Sequence, residues 1–188
     1  MLERLQEIGI INLENGKLSQ EDAKILLHIY KLKLDNQKID ISDVEAKVLN
    51  DKNLDLAVAI DEIEKLHKSF AIKNAENWNI EGRGGSLGFE ELSDKVEQCS
   101  RVVKLKRENF EVLNDCLSSE EKFNSFCANL KIQEDGKDRV KVALQAKKAD
   151  ICDEYLRAKI GALNFAVDYA AISDIREGKI ELASVVMR

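Results

Sequence analysis

Not one proline occurs in the 188 residues of this chain. Proline lacks a backbone donor and clashes with the preceding turn, so long helices exclude it, whereas sandwiches and α/β enzymes place it freely in their loops. A chain of this length without it is expected to be all-α. At 44% hydrophobic and 34% charged it is too apolar for disorder. It is also long enough to bury a core without disulfides or metals. Its four cysteines, Cys99, Cys116, Cys127 and Cys152, are too widely spaced for a CxxC pair or a zinc ribbon, so reduced thiols are expected.

Helical period supports the same class. Phe89, Leu92, Val96, Cys99, Val103, Lys106, Phe110, Leu113 and Leu117 recur at alternating spacings of 3 and 4, and eight of these nine positions are apolar. Such a helix runs to roughly 44 Å at 1.5 Å per residue and needs a long mate, either within the chain or in another one. Lys106 within the seam reads as a snorkelling side chain or a register device. A second seam, Leu56, Ile60, Ile63, His67 and Phe70, lies in a helix expected over 54–77, and a third, Leu156, Ile160, Leu163, Val167 and Ala170, in one expected over 137–176 with Gly161 beside it. Gly161 reads as a site of close packing or a bend.

Start and stop signals divide the chain further. Ser19-Gln-Glu-Asp22 opens a helix that is apolar over most of its circumference and therefore central, Ser42-Asp-Val-Glu45 reads as a capping box, and Ser118-Ser-Glu-Glu121 caps a short helix that Glu134-Asp-Gly136 ends. Residues 79–88 hold four of the nine glycines and read as a link between helices, with Arg83, Gly84 and Gly85 as a candidate exposed loop. The expected architecture is an elongated helical bundle of long, antiparallel, coiled-coil-like helices. Residues 1–50 form short helices packed on one end, 51–178 the long-helix bundle, and 179–188 a tail that reads as either a short strand or a last helical turn.

Chemistry finds few footholds. Gly82-Arg-Gly-Gly-Ser-Leu-Gly88 is neither GxGxxG nor GxxxxGK[ST]. Glu64-Lys-Leu-His67 has the Glu-x-x-His spacing of di-iron bundles, but His28, the only other histidine, has Ile25 at the matching place. His67 lies on an apolar seam and reads as an interior histidine bonded to a neighbour. Nucleophilic catalysis needs a base within reach of the nucleophile, and with two histidines, both in expected helices, no triad can be assembled. No catalytic residue, cofactor or metal ligand is nominated, and the chain is expected not to be an enzyme.

The net charge of −6 argues against general binding to phosphate backbones. A basic cluster of Arg101, Lys104, Lys106 and Arg107 keeps a nucleic-acid or nucleoprotein accessory role as the alternative, although Glu97, Glu108 and Glu111 stand at i,i+4 from three of these residues. Acids gather over 40–64, where Asp51, Asp55, Asp61 and Glu62 form a candidate acidic docking face. No membrane span and no Sec-type export signal are found, so a cytoplasmic protein is expected, with signal-less secretion as a further route.

The function these patterns favour is a helical protein–protein interaction module: an adaptor, chaperone or assembly subunit, of the kind found in bacterial secretion systems, or a signal-less effector. It would recognise another protein or a second copy through helix faces, with Phe89, Leu92, Val96, Val103 and Phe110 as the expected anchors.

Overall fold

In the computed structural model the described residues are 1–35, 39–50, 54–78 and 85–182. They form seven α-helices in chain order: α1 Leu2–Ile8, α2 Gln20–Leu34, α3 Ile41–Asn50, α4 Leu56–Asn74, α5 Gly85–Cys116, α6 Glu120–Asn129 and α7 Lys137–Arg176. A 3-10 turn over Glu134–Gly136 leads into α7. The all-α expectation holds. The alternative of a C-terminal strand does not: among the described residues no strand forms, residues 179–182 are irregular, and the rest of the tail lies outside the described residues.

Capping chemistry accounts for most boundaries. The Ser19 hydroxyl accepts from the Asp22 amide at 3.1 Å and the Ser119 hydroxyl from the Lys122 amide at 3.1 Å. Asp55 accepts from the amides of Ala57 and Val58 and so starts α4. The box read at Ser42 is displaced: α3 already begins at Ile41, and the cap is Asp40, whose carboxylate accepts from the Ser42 amide at 2.9 Å. Gly178 ends α7 with φ of +75°, and the amides of Lys179 and Ile180 donate back to the Asp174 carbonyl. Helix α5 begins at Gly85, earlier than expected, so Gly85 and Gly88 belong to a helix. Arg83 and Gly84 lie outside the described residues. A Cβ built on Gly161 would meet nothing within 4 Å, so close packing is not its reason.

The chain forms two compact units, one from residues 1–101 with 159–188 and the other from 102–158. The divisions therefore fall within α5 and α7, not at residue 50. In the larger unit α2 is central: Ala23, Ile25, Leu26, Leu27, Ile29, Tyr30 and Leu32 are all buried, and α2 packs against α3 and α4. Each such large apolar side chain contributes roughly 1.5–3 kcal/mol when fully buried. From Lys159 onward α7 is buried on nearly every side, through Ile160, Leu163, Val167, Ala171 and Ile175. Helix α1 ends at Gly9, whose φ of +92° closes the turn. The backbone there favours glycine, and a Cβ would press on the Ser100 hydroxyl of α5 at 3.2 Å. Within this unit Phe89 stacks on Tyr169 with centroids 5.3 Å apart, and the Lys95 ammonium sits 4.2 Å from the Phe165 ring centroid, so α5 and α7 run antiparallel.

The smaller unit is a helical hairpin with α6 at its turn. Phe110 stacks on Tyr155 at 6.2 Å and Lys106 pairs with Glu154 at 3.0 Å, so this part of α5 lies alongside α7. Lys106 occupies the seam by carrying its ammonium to a carboxylate at the edge, as a snorkelling side chain does.

Candidate functional site

A chain of buried polar groups runs through the larger unit. The Tyr30 hydroxyl of α2 lies 2.8 Å from His67 Nδ1 of α4, and His67 Nε2 lies 2.7 Å from Asp174 Oδ2 near the end of α7. The other carboxylate oxygen, Oδ1, accepts from Arg4 of α1 at 3.0 and 3.3 Å, and Arg4 continues to Glu177 at 2.6 and 3.2 Å. Tyr30 is fully buried, and His67 and Asp174 are nearly so.

Proton positions follow from the inventory of donors. Burial by itself would raise the Asp174 carboxyl, but the hydrogen bonds from His67 and Arg4 outweigh it and hold the group at about 2. Asp174 is therefore a carboxylate that only accepts, and His67 Nε2 carries a proton. Burial, with Asp174 and Asp168 nearby, pushes the Tyr30 phenol well above its ordinary range, so its hydroxyl keeps its proton. In the neutral imidazole that hydroxyl donates to Nδ1. The relay thus satisfies every member and joins α1, α2, α4 and α7 at one point.

Two further ion pairs lie in the same unit. Lys159 of α7 reaches Asp22 of α2 at 2.9 Å with both side chains buried. Lys33 reaches Asp168 at 3.1 Å and lies 5.7 Å from the Phe70 ring centroid; burial raises the Asp168 carboxyl, and Lys33 offsets part of that. Phe70 in turn packs edge-on against Tyr30 and Trp78.

The sequence-derived candidates are distributed differently. Val96 and Val103 are buried, while Phe89, Leu92 and Phe110 are half-buried, with Phe89 and Phe110 stacked on α7. Val96 and Val103 are therefore core residues, and the rings of Phe89 and Phe110 have partners on α7. Of the acidic face, Asp55 caps α4, Asp61 pairs with Lys65 at 2.9 Å and Glu62 with Lys31 at 3.4 Å, whereas Asp51 lies outside the described residues. In the basic cluster Arg101 pairs with Glu97, Lys106 with Glu154, and Arg107 donates to the Tyr155 hydroxyl at 3.2 Å, leaving Lys104 exposed. Among the described residues no three His, Cys, Asp or Glu side chains gather as a metal site, and no helix is long and apolar enough to cross a membrane.

What sequence periodicity did not reveal is the surface of the smaller unit. Only Val103, Phe123 and Cys127 are buried apolar residues there. Val102, Leu105, Val112, Leu130 and Val142 are exposed on it, Val112 to 73%. Between the end of α5 and α6 lies a cleft of about 470 Å³, lined by Val112, Cys116 and Phe126 with Asp115, Lys122 and Asn129 among its polar groups. The usable signal was present as i,i+3 and i,i+7 apolar positions beside the heptad seam, on a face the seam does not cover.

No known protein family, no curated protein and no solved structure matches the chain.

Proposed function

We infer that the chain is a non-enzymatic helical protein–protein interaction module whose contact surface is the 102–158 unit. The observation that carries this reading is the imbalance in that unit: three apolar side chains buried against five large aliphatics exposed. Aliphatic groups left in water at that density mark surfaces that are covered by another protein. Helix faces with anchors at i, i+3 and i+7 are the form such recognition takes. An adaptor, chaperone or assembly subunit fits this reading.

The polar relay supports a structural role in the same reading. Its hydroxyl, imidazole and carboxylate are engaged with one another inside the larger unit, where they hold four helices together. The nucleic-acid alternative gains little, since Arg101, Lys106 and Arg107 are already committed to neighbours.

The test is site-specific photo-cross-linking in cells that express the chain, with the photoreactive residue placed at Leu105 or Val112 and, as a control, at the exposed Lys68 of α4. Discrete protein adducts at the first two positions and none at the third are expected. Absence of adducts at both Leu105 and Val112 would refute the reading.

A further inference from the structure

The smaller unit contains eleven Lys plus Arg and eleven Asp plus Glu, so the whole net charge of −6 falls on the larger unit. Two copies approaching through their larger units repel, while approach through the smaller units meets no such barrier. Val102, Leu105 and Val112 share one stripe of α5, with Asn109 within it and Cys116 one turn beyond. Lys104 and Glu111 are both exposed and seven residues apart, so they occupy the same flank of that stripe, the ammonium toward its start and the carboxylate toward its end.

A two-fold contact demands a surface complementary to itself. An antiparallel alignment that sets Val102 of one copy against Val112 of the other also sets each Lys104 beside the opposite Glu111, twice by symmetry. We propose that the occupant of this stripe is a second copy of the same chain, paired antiparallel through α5 about an axis near residue 107. The proposal rests on the interaction reading above and names its partner. The pairing covers Val102, Leu105 and Val112 of both copies and adds a second helical hairpin to a unit that has little core of its own. Glu108, exposed on the same flank, falls near the axis and meets its own symmetry mate, which sets a limit on affinity.

The experiment is sedimentation of the purified chain over a range of micromolar concentrations, with circular dichroism to verify helicity of every variant. A reversible dimer is expected, abolished by Leu105→Asp with Val112→Asp. Lys104→Glu and Glu111→Lys each weaken it about tenfold, since each turns two attractive pairs into repulsive ones. The double variant Lys104→Glu/Glu111→Lys restores wild-type affinity, which only pairing of like with like can do, and Glu108→Gln tightens the dimer. A wild-type monomer at every concentration, a dimer indifferent to the two aspartates, or a double variant as weak as the singles each overturns the proposal. A monomeric pure chain that cross-links a different protein through Leu105 and Val112 in cells overturns the second copy while sustaining the interaction reading. A monomer with no cross-link overturns both.

Discussion

His67 and Asp174 stand 107 residues apart in sequence and 2.7 Å apart in the fold, with the imidazole Nε2–H donating to a carboxylate that Arg4 also grips. The contact locks the middle of α4 to the last turn of α7, and through Arg4 it fastens the short α1. A helix of seven residues is too short to be stable by itself, so α1 depends on this tie and on Leu5, which is fully buried.

Asp174→Asn should cost about 3 kcal/mol in chemical denaturation, because it leaves Arg4 and His67 facing a neutral amide inside the protein. Amide exchange in α1 should accelerate more than in α2, since only α1 loses its principal attachment.

Stability should also fall on the acid side in a defined window. The Asp174 carboxyl is held at about 2 in the folded chain, against roughly 3.9 when unfolded. Its contribution is therefore complete above roughly pH 5 and is lost as pH drops through 2, because the unfolded state takes up the proton first. Denaturation midpoints measured against pH should show this loss in wild type and a flatter acid limb in Asp174→Asn. The raised Tyr30 phenol acts at the other end. The unfolded state ionises near pH 10 while the folded state does not, so stability declines above that pH, and Tyr30→Phe removes this decline.

The Lys159–Asp22 pair predicts a non-additive result. Lys159→Met leaves the buried Asp22 carboxylate without its ammonium and should cost about 3–5 kcal/mol, and Asp22→Leu takes the carboxylate from the buried Lys159, whereas the double variant should recover much of the loss. A double-mutant cycle by thermal denaturation measures the coupling directly.

The two faces of α5 should respond oppositely to the same chemical change. Val103→Asp places an unpaired carboxylate where the side chain is 0% exposed, and should unfold the 102–158 unit. Leu105→Asp, at 56% exposure, should leave the helicity of the chain unchanged. Hydrogen exchange resolved by segment separates these outcomes.

Ser119→Ala should cost about 1 kcal/mol by leaving the Lys122 amide without its acceptor, with the loss concentrated in α6.

Much of the architecture is legible in local chemistry. The caps at Ser19 and Ser119, the stop at Gly178 and the alternating seam of α5 all depend on neighbours within a turn or two, and each appears in the fold. Reading fails where the determining partner is distant. Nothing near Arg4 announces Asp174, which lies 170 residues away. The only hint is that Asp168 and Asp174 are the only charged residues in a largely apolar stretch of α7, residues 160–175. The glycine run reads as a link through residue 88, yet Gly85 and Gly88 lie in α5. A helical glycine costs about 1 kcal/mol relative to alanine, and the stacking of Phe89 on Tyr169 and its contact with the Arg176 guanidinium, 4.1 Å from the ring centroid, favour extending the helix. The exposed stripe beside the seam is hidden for a related reason: periodicity identifies an apolar line but does not say which of two adjacent lines the chain covers itself.

Both ring nitrogens of His67 are occupied, one by a hydroxyl and one by a carboxylate, inside a packed interior. Such an imidazole has no lone pair to offer an acylating reagent until the fold opens. Treatment with diethyl pyrocarbonate should therefore label His67 at the intrinsic rate of an imidazole scaled down by the opening equilibrium of the larger unit. That single side chain serves as a built-in clock for how often the protein comes apart.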